Sequence, residues 1–152
     1  MSLQVEDVMI KDVITVDADS TVKDAAKIMN RFEIGSLIVV KDSKAVGIMT
    51  ERDVLKRVVA VAEKPEKTLV EDVMSKPLIV VEPEMELEDA VKLMFKMKIK
   101  KLPVVKNGKL VGLVSLTDIA RFQPQMIKIL KKMSQTYSSP RRMKKVVDYY
   151  IS

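Results

Sequence analysis

The chain has 152 residues, 47% of them hydrophobic and 32% charged, which fits an ordered globular protein of one compact domain or two small subdomains. It contains no cysteine and no histidine, and this excludes disulfides, thiolate chemistry, Cys or His metal sites and every catalytic set built on either residue. The net charge of +6 lies in the tail: residues 123–152 carry seven basic groups against Asp148, so the first 122 residues are neutral overall.

No apolar run approaches the length of a membrane span and MSLQVEDVMI lacks a signal-peptide pattern, so a soluble, cytoplasmic protein without a membrane role is expected. Lys and Glu are abundant while Asn, Gln and Cys are scarce, a composition seen in some thermophiles.

The first element in the chain is also the first sign of a repeat. EDVM occupies Glu6–Met9 and recurs at Glu71–Met74, and this offset of 65 holds without a gap for some fifty residues. VITV (13–16) and LIVV (78–81) are short β-branched runs of strand type. Asp19 or Ser20 then offers an N-cap before TVKDAAKIMNRF, where Val22, Ala25, Ala26 and Met29 fall at helical spacing. Leu87, Ala90, Val91 and Met94 repeat that stripe in ELEDAVKLM. SLIVV (36–40) and LPVV (102–105) read as strands, followed by turns at KDSK (41–44) and KNGK (106–109). AVGIM (45–49) and LVGLV (110–114) return as strands and lead into helices at ERDVLKRVVAVA and LTDIARF. The expected architecture is therefore α+β, with two β-α-β-β-α repeats packed about a pseudo-two-fold axis and a C-terminal helical tail. The expected boundaries are 1–62 for the first repeat, 63–70 for a charged linker, 71–122 for the second repeat and 123–152 for the tail.

Each repeat closes with G-h-h-[ST]-x-x-D (h apolar), as GIMTERD (47–53) and GLVSLTD (112–118). Two such units in register, each introduced by EDVM, resemble a pair of CBS domains, the Bateman module, over roughly residues 5–122. The resemblance implies a regulatory, non-enzymatic module. It would bind an adenosine-containing ligand (AMP, ADP, ATP or S-adenosylmethionine) in clefts between the repeats, require no cofactor or metal, and often form a homodimer.

On residue chemistry alone, Thr50 with Asp53 and Ser115 with Asp118 also match a helix capping box, in which a hydroxyl accepts from a backbone N–H and an acidic side chain reaches back. Three features favour a ligand role. The box normally carries Glu or Gln where both copies have Asp; the preceding glycine admits close backbone approach; and a helix N-terminus attracts anions. In the family the hydroxyl lies near a phosphate and the aspartate accepts from both ribose hydroxyls, and the resemblance carries these roles to Thr50 and Asp53 in one site and Ser115 and Asp118 in the other. Arg52 is either a solvated helix residue or a bidentate phosphate clamp, and its counterpart is Thr117. Lys100 and Lys101 are either edge-strand lysines that oppose aggregation or the basic residues that family members place against the phosphate. Their counterparts are Gly35 and Ser36, so the two sites should differ. Thr15 with Ala18, and Val80 with Pro83, are strand-end residues by composition, at positions that flank the adenine in the family. The eleven methionines, Met29, Met49, Met94 and Met97 among them, read as adaptable core filler.

Neither a G-x-x-x-x-G-K-[ST] nor a G-x-G-x-x-G phosphate loop occurs, so catalysis is not expected. In the tail, Met126, Leu130 and Met133 lie at helical spacing; after Pro140, Met143, Val146, Val147, Tyr150 and Ile151 form a second stripe. A stripe requires burial, so packing on the module or across a dimer is preferred to nucleic-acid binding through the basic charge. A nucleic-acid-associated regulator and a dimerisation scaffold with empty sites are the alternative functions, and the sequence does not identify an effector protein.

Overall fold

The computed structural model describes residues 3–126 together with Lys128, Lys131 and Lys132. Contacts divide the chain into two units. Residues 10–83 and 103–113 form one, and residues 3–9, 84–102 and 114–126 belong to the other.

In the 10–83 unit, β1 (Thr15–Asp17), β2 (Ser36–Lys41) and β3 (Lys44–Thr50) form a sheet in that order. β1 runs parallel to β2 and β3 returns antiparallel, with Ser36 opposite Thr50. The turn between β2 and β3 places Asp42 and Ser43 at φ of 51° and 65°, the left-handed pair that a two-residue hairpin requires. Helix α1 (Val22–Phe32) crosses over between the parallel strands and buries Val22, Ala25 and Met29 against Leu37, Val39 and Met49. Its N-cap is Thr21, not Asp19 or Ser20: the Thr21 hydroxyl accepts from the Asp24 N–H at 3.2 Å. Ala26, expected in the stripe, is exposed. After β3, α2 (Glu51–Val54) is only one turn of α-helix. The chain then widens over Leu55–Val59, with the Ala60 N–H bonded to the Leu55 carbonyl five residues back, so the helix expected through residue 62 is not uniform. Helix α3 (Val70–Val73) carries the second EDVM.

The second repeat follows the plan with α4 (Leu87–Met97), β4 (Lys101–Lys106), β5 (Lys109–Ser115) and α5 (Leu116–Phe122). The β4–β5 hairpin turns at Asn107 and Gly108, whose φ values of 52° and 77° suit an Asn-Gly pair. Its distal part, residues 103–113, belongs to the 10–83 unit. All of Leu87, Ala90, Val91 and Met94 are buried, with Leu102, Val114 and Ile119. Met97 is not core filler: it is 45% exposed, matching Phe32 at 49% one repeat earlier.

The strand expected at 78–81 is reduced to one parallel bridge, Val81 with Val104. Val81 makes both bonds of that bridge, to the Pro103 carbonyl and from the Val105 N–H, at 3.0 and 2.9 Å. Extending the ladder would need an N–H on Pro103 in one direction and on Pro83 in the other, and proline has none. In the first repeat these positions are Ile38 and Ala18, and the Ala18 N–H does bond the Val40 carbonyl at 2.9 Å.

Each EDVM leader is bonded to the copy it does not precede. Thr21 bridges Leu69, and the Val70 N–H reaches the Ser20 carbonyl at 2.8 Å. At the equivalent place Gln4 bridges Glu86, and the Val5 N–H reaches the Met85 carbonyl at 2.8 Å. The α3 leader ends against β3, where Ile48 and Ser75 exchange two backbone bonds of 3.1 and 2.8 Å. Gly47 makes this approach feasible, because a Cβ there would meet Met74 Sδ at 2.6 Å and the Ser75 carbonyl at 3.0 Å.

Met126 is buried in a short turn, Pro124–Met126; the remaining tail stripes, at Leu130, Met133 and Met143–Ile151, lie outside the described residues. Among the described residues no helix is long and apolar enough to cross a membrane. The contact at Gly47 yields a direct test. Gly47→Ala should destabilise the protein by about 1–3 kcal/mol through overpacking, measured as a lower midpoint in urea unfolding; an unchanged midpoint would contradict the tight approach.

Candidate functional site

The two hydroxyl–aspartate motifs occupy the same position in their repeats, at the end of a strand and the start of a helix, but their geometry differs. In the first, the Asp53 N–H donates to Thr50 Oγ1 at 3.1 Å and the Thr50 N–H donates to Asp53 Oδ2 at 3.0 Å. This is a complete capping box, formed despite the short aspartate. The Thr50 hydroxyl also donates to Oδ2, at 3.1 Å. The other oxygen, Oδ1, accepts from the Ser75 hydroxyl at 2.9 Å and lies 3.8 Å from Arg57 Nη1. Arg57 in turn donates to the carbonyls of Val73 and Met74 at 2.8 and 2.9 Å, satisfying groups that the end of α3 leaves without helical partners. Asp53 is 7% exposed.

A carboxylate offers about four acceptor positions, and three of those on Asp53 are taken by Thr50 and Ser75. Accepting from two ribose hydroxyls, the role the resemblance implied, would require Asp53 to give up a protein partner.

At the second motif the Asp118 N–H donates to Ser115 Oγ at 3.1 Å and the Ser115 hydroxyl donates to Asp118 Oδ2 at 2.8 Å. The reciprocal bond from the Ser115 N–H is not among the described contacts, so the box is incomplete. Among the described residues one acceptor position is occupied in place of three, and Asp118 is half-buried whereas Ser115 is 8% exposed. The start of β4 is tied to this helix start, since the Lys100 carbonyl accepts the Leu116 N–H at 3.0 Å. Lys100 is exposed and Lys101 half-buried beside it in sequence.

Gly35 and Ser36 take the corresponding place at the first motif. The Gly35 carbonyl accepts the Glu51 N–H at 3.0 Å, and a Cβ on Gly35 would meet the Glu51 carboxylate at 3.4 to 3.6 Å. Arg52 is exposed on α2. Thr15 pairs with Ile38, two residues along β2 from Ser36, and is half-buried. Ala18, just beyond β1, is 2% exposed; its N–H bonds the Val40 carbonyl toward the far end of β2, and its carbonyl accepts the Glu71 N–H at 3.0 Å. The structure thus brings Gly35, Ser36, Thr50 and Asp53 together and places Ala18 four residues of strand away. Val80 is 42% exposed and Pro83 buried; both belong to the 10–83 unit, whereas Lys100, Lys101, Ser115 and Asp118 belong to the other.

Sequence reasoning missed Ser75 and Arg57. A signal existed in the repeat itself, because the residues 65 positions away are Ile10 and Phe122, polar exchanged for apolar in both cases. Among the described residues no group of three His, Cys, Asp or Glu side chains could hold a metal ion.

Comparison with known proteins places the chain. The profile of the CBS domain matches residues 5–60 and again 70–124. A protein of Methanopyrus kandleri described as uncharacterized is 38% identical over 133 residues, 86% of this chain and 68% of that one. The inosine-5'-monophosphate dehydrogenase of Methanocaldococcus jannaschii is 39% identical over 118 residues, 76% of this chain but 23% of the dehydrogenase. Among solved structures, the hexameric CBS-CP12 protein from bloom-forming cyanobacteria superposes with a TM-score of 0.72 at 32% identity, over 84% of this chain and 71% of that one. The two repeats read from the 65-residue offset are CBS domains, and the chain belongs to the CBS-domain family as a tandem pair.

Proposed function

We propose that this CBS pair is a non-enzymatic regulatory module that binds an adenosine-containing ligand and passes its occupancy to a partner protein or to the oligomeric state. The observation that carries the reading is the Ser115–Asp118 pair. Among the described residues only the Ser115 hydroxyl donates to its carboxylate, which leaves acceptor capacity suited to ribose hydroxyls, at a helix start tied to the backbone of Lys100, where the charges of Lys100 and Lys101 suit phosphate. Ligand binding would stabilise the folded chain by mass action, by about 2.7 kcal/mol at a hundred times Kd. Coupling to a partner then needs only a difference in ligand affinity between two states.

Thermal unfolding in the presence of AMP, ADP, ATP and S-adenosylmethionine tests this. At least one should raise the midpoint in a saturable way; no response to any of the four at millimolar concentration would refute the reading.

A second reading concerns assembly. Phe32, Leu55 and Val59 are 49, 62 and 63% exposed in the 10–83 unit, and a groove of about 560 Å³ there is lined by Ala26, Met29, Leu55 and Val59 with Glu33 and Glu51. Exposed apolar surface of this kind suits a second copy of the chain, and the cyanobacterial relative is hexameric by description. Sedimentation should find a dimer or larger assembly for the native chain and a smaller species for Leu55→Glu/Val59→Glu. A native monomer, or no change in the variant, would count against this face.

A further inference from the structure

We infer that Asp53 is a structural latch rather than a ligand acceptor, and that Ser75 and Arg57 are the residues that close it. The inference rests on the proposed ligand role of the hydroxyl–aspartate motifs and decides which of the two is open.

Three observations converge on the latch. The Asp53 carboxylate is buried, and Oδ1 is engaged by a hydroxyl 22 residues away, at 2.9 Å, so the contact is tertiary and not part of helix capping. Arg57 sits one turn after Asp53 and is held by two carbonyls at the end of α3, which fixes its guanidinium 3.8 Å from Oδ1. Ser75 itself is fixed by its backbone pair with Ile48. Asp53 thereby ties the 73–75 segment, the end of the second leader, to the β3–α2 corner of the first repeat.

The repeat supplies an internal control. In the 10–83 unit, Ile10 bridges Leu113 just as Ser75 bridges Ile48, with both backbone bonds at 2.9 Å. The residue in the Ser75 position there is Ile10, which has no side-chain donor, and the residue in the Arg57 position of the second repeat is Phe122. Neither latch partner exists in the second copy. Opening the Asp53 carboxylate to a ribose would strand a Ser75 hydroxyl and remove the counter-charge of Arg57, whereas Asp118 carries no such cost.

The test combines binding and unfolding on the full chain. Calorimetric titration with ATP and with AMP should give one equivalent bound per chain. Asp118→Asn should lose at least tenfold in affinity, whereas Asp53→Asn should stay within about twofold of the native value but unfold at lower urea. Two equivalents bound, or loss of binding in Asp53→Asn with Asp118→Asn unaffected, would overturn the assignment. Unfolding also stands apart from binding. Ser75→Ala should lower the urea midpoint in the native background and leave it nearly unchanged in Asp53→Ala. Equal effects in both backgrounds would overturn the latch. Should Asp53→Ala not fold, Ser75→Ala combined with Arg57→Met serves: a combined shift differing from the sum supports shared attachment to Asp53, and strict additivity opposes it. If none of AMP, ADP, ATP and S-adenosylmethionine binds the native chain, the functional reading fails, while the unfolding comparison still decides the latch.

Discussion

Ser75 exchanges both of its backbone bonds with Ile48, and this pair seats the end of the second leader against β3. The approach is close enough that Gly47 has no room for a side chain, and close enough to bring the Ser75 hydroxyl onto Asp53. From that contact follow the burial of Asp53, the placement of Arg57 over the end of α3 and the commitment of the first motif to the fold. Hydrogen bonds to charged groups contribute about 1.5–3 kcal/mol each, large against the stability of a small domain. A ligand competing for Asp53 would have to exceed that before gaining anything. The same corner in the second repeat has Ile10 in place of Ser75 and Phe122 in place of Arg57, so two motifs of nearly equal sequence differ in the partners offered to their aspartates.

The exchange of leaders gives the arrangement its wider meaning. Residues 3–9 bond beside Glu86 and residues 68–75 beside Thr21, so each repeat is completed by the leader of the other copy. The segment held by Asp53 and Arg57 is therefore also the stretch that leads from the linker into the second repeat. A carboxylate at the first motif thus holds the stretch that connects the two repeats.

Much of the fold was legible in the sequence. The 65-residue offset, the helical stripes and the two tight turns sufficed for the β-α-β-β-α order, because short-range periodicity and turn chemistry depend on neighbouring residues. The shortened strand at 78–81 was legible in principle: Pro83 and Pro103 remove two ladder donors, but this appears only once Val81 is set in register with Val104. The leader exchange was not legible, since an offset relates two copies without saying which leader bonds to which. At the site, the short aspartate weighed against a capping box, yet Asp53 completes one, because the carboxylate at N3 is close enough to reach the Thr50 N–H. The contacts of Asp53 to Ser75 and of Arg57 to Val73 and Met74 span 16 to 22 residues and depend on tertiary folding, beyond any local pattern. The apolar identities of Ile10 and Phe122 were their only trace in the sequence.

The most direct measurement is a crystal structure of the full chain grown with millimolar ATP. The account predicts nucleotide density with its ribose on Asp118 and its phosphates toward Lys100 or Lys101, and a first motif in which the Ser75 hydroxyl still donates to Asp53. Ribose bound to Asp53, with Ser75 displaced and Asp118 empty, would contradict it.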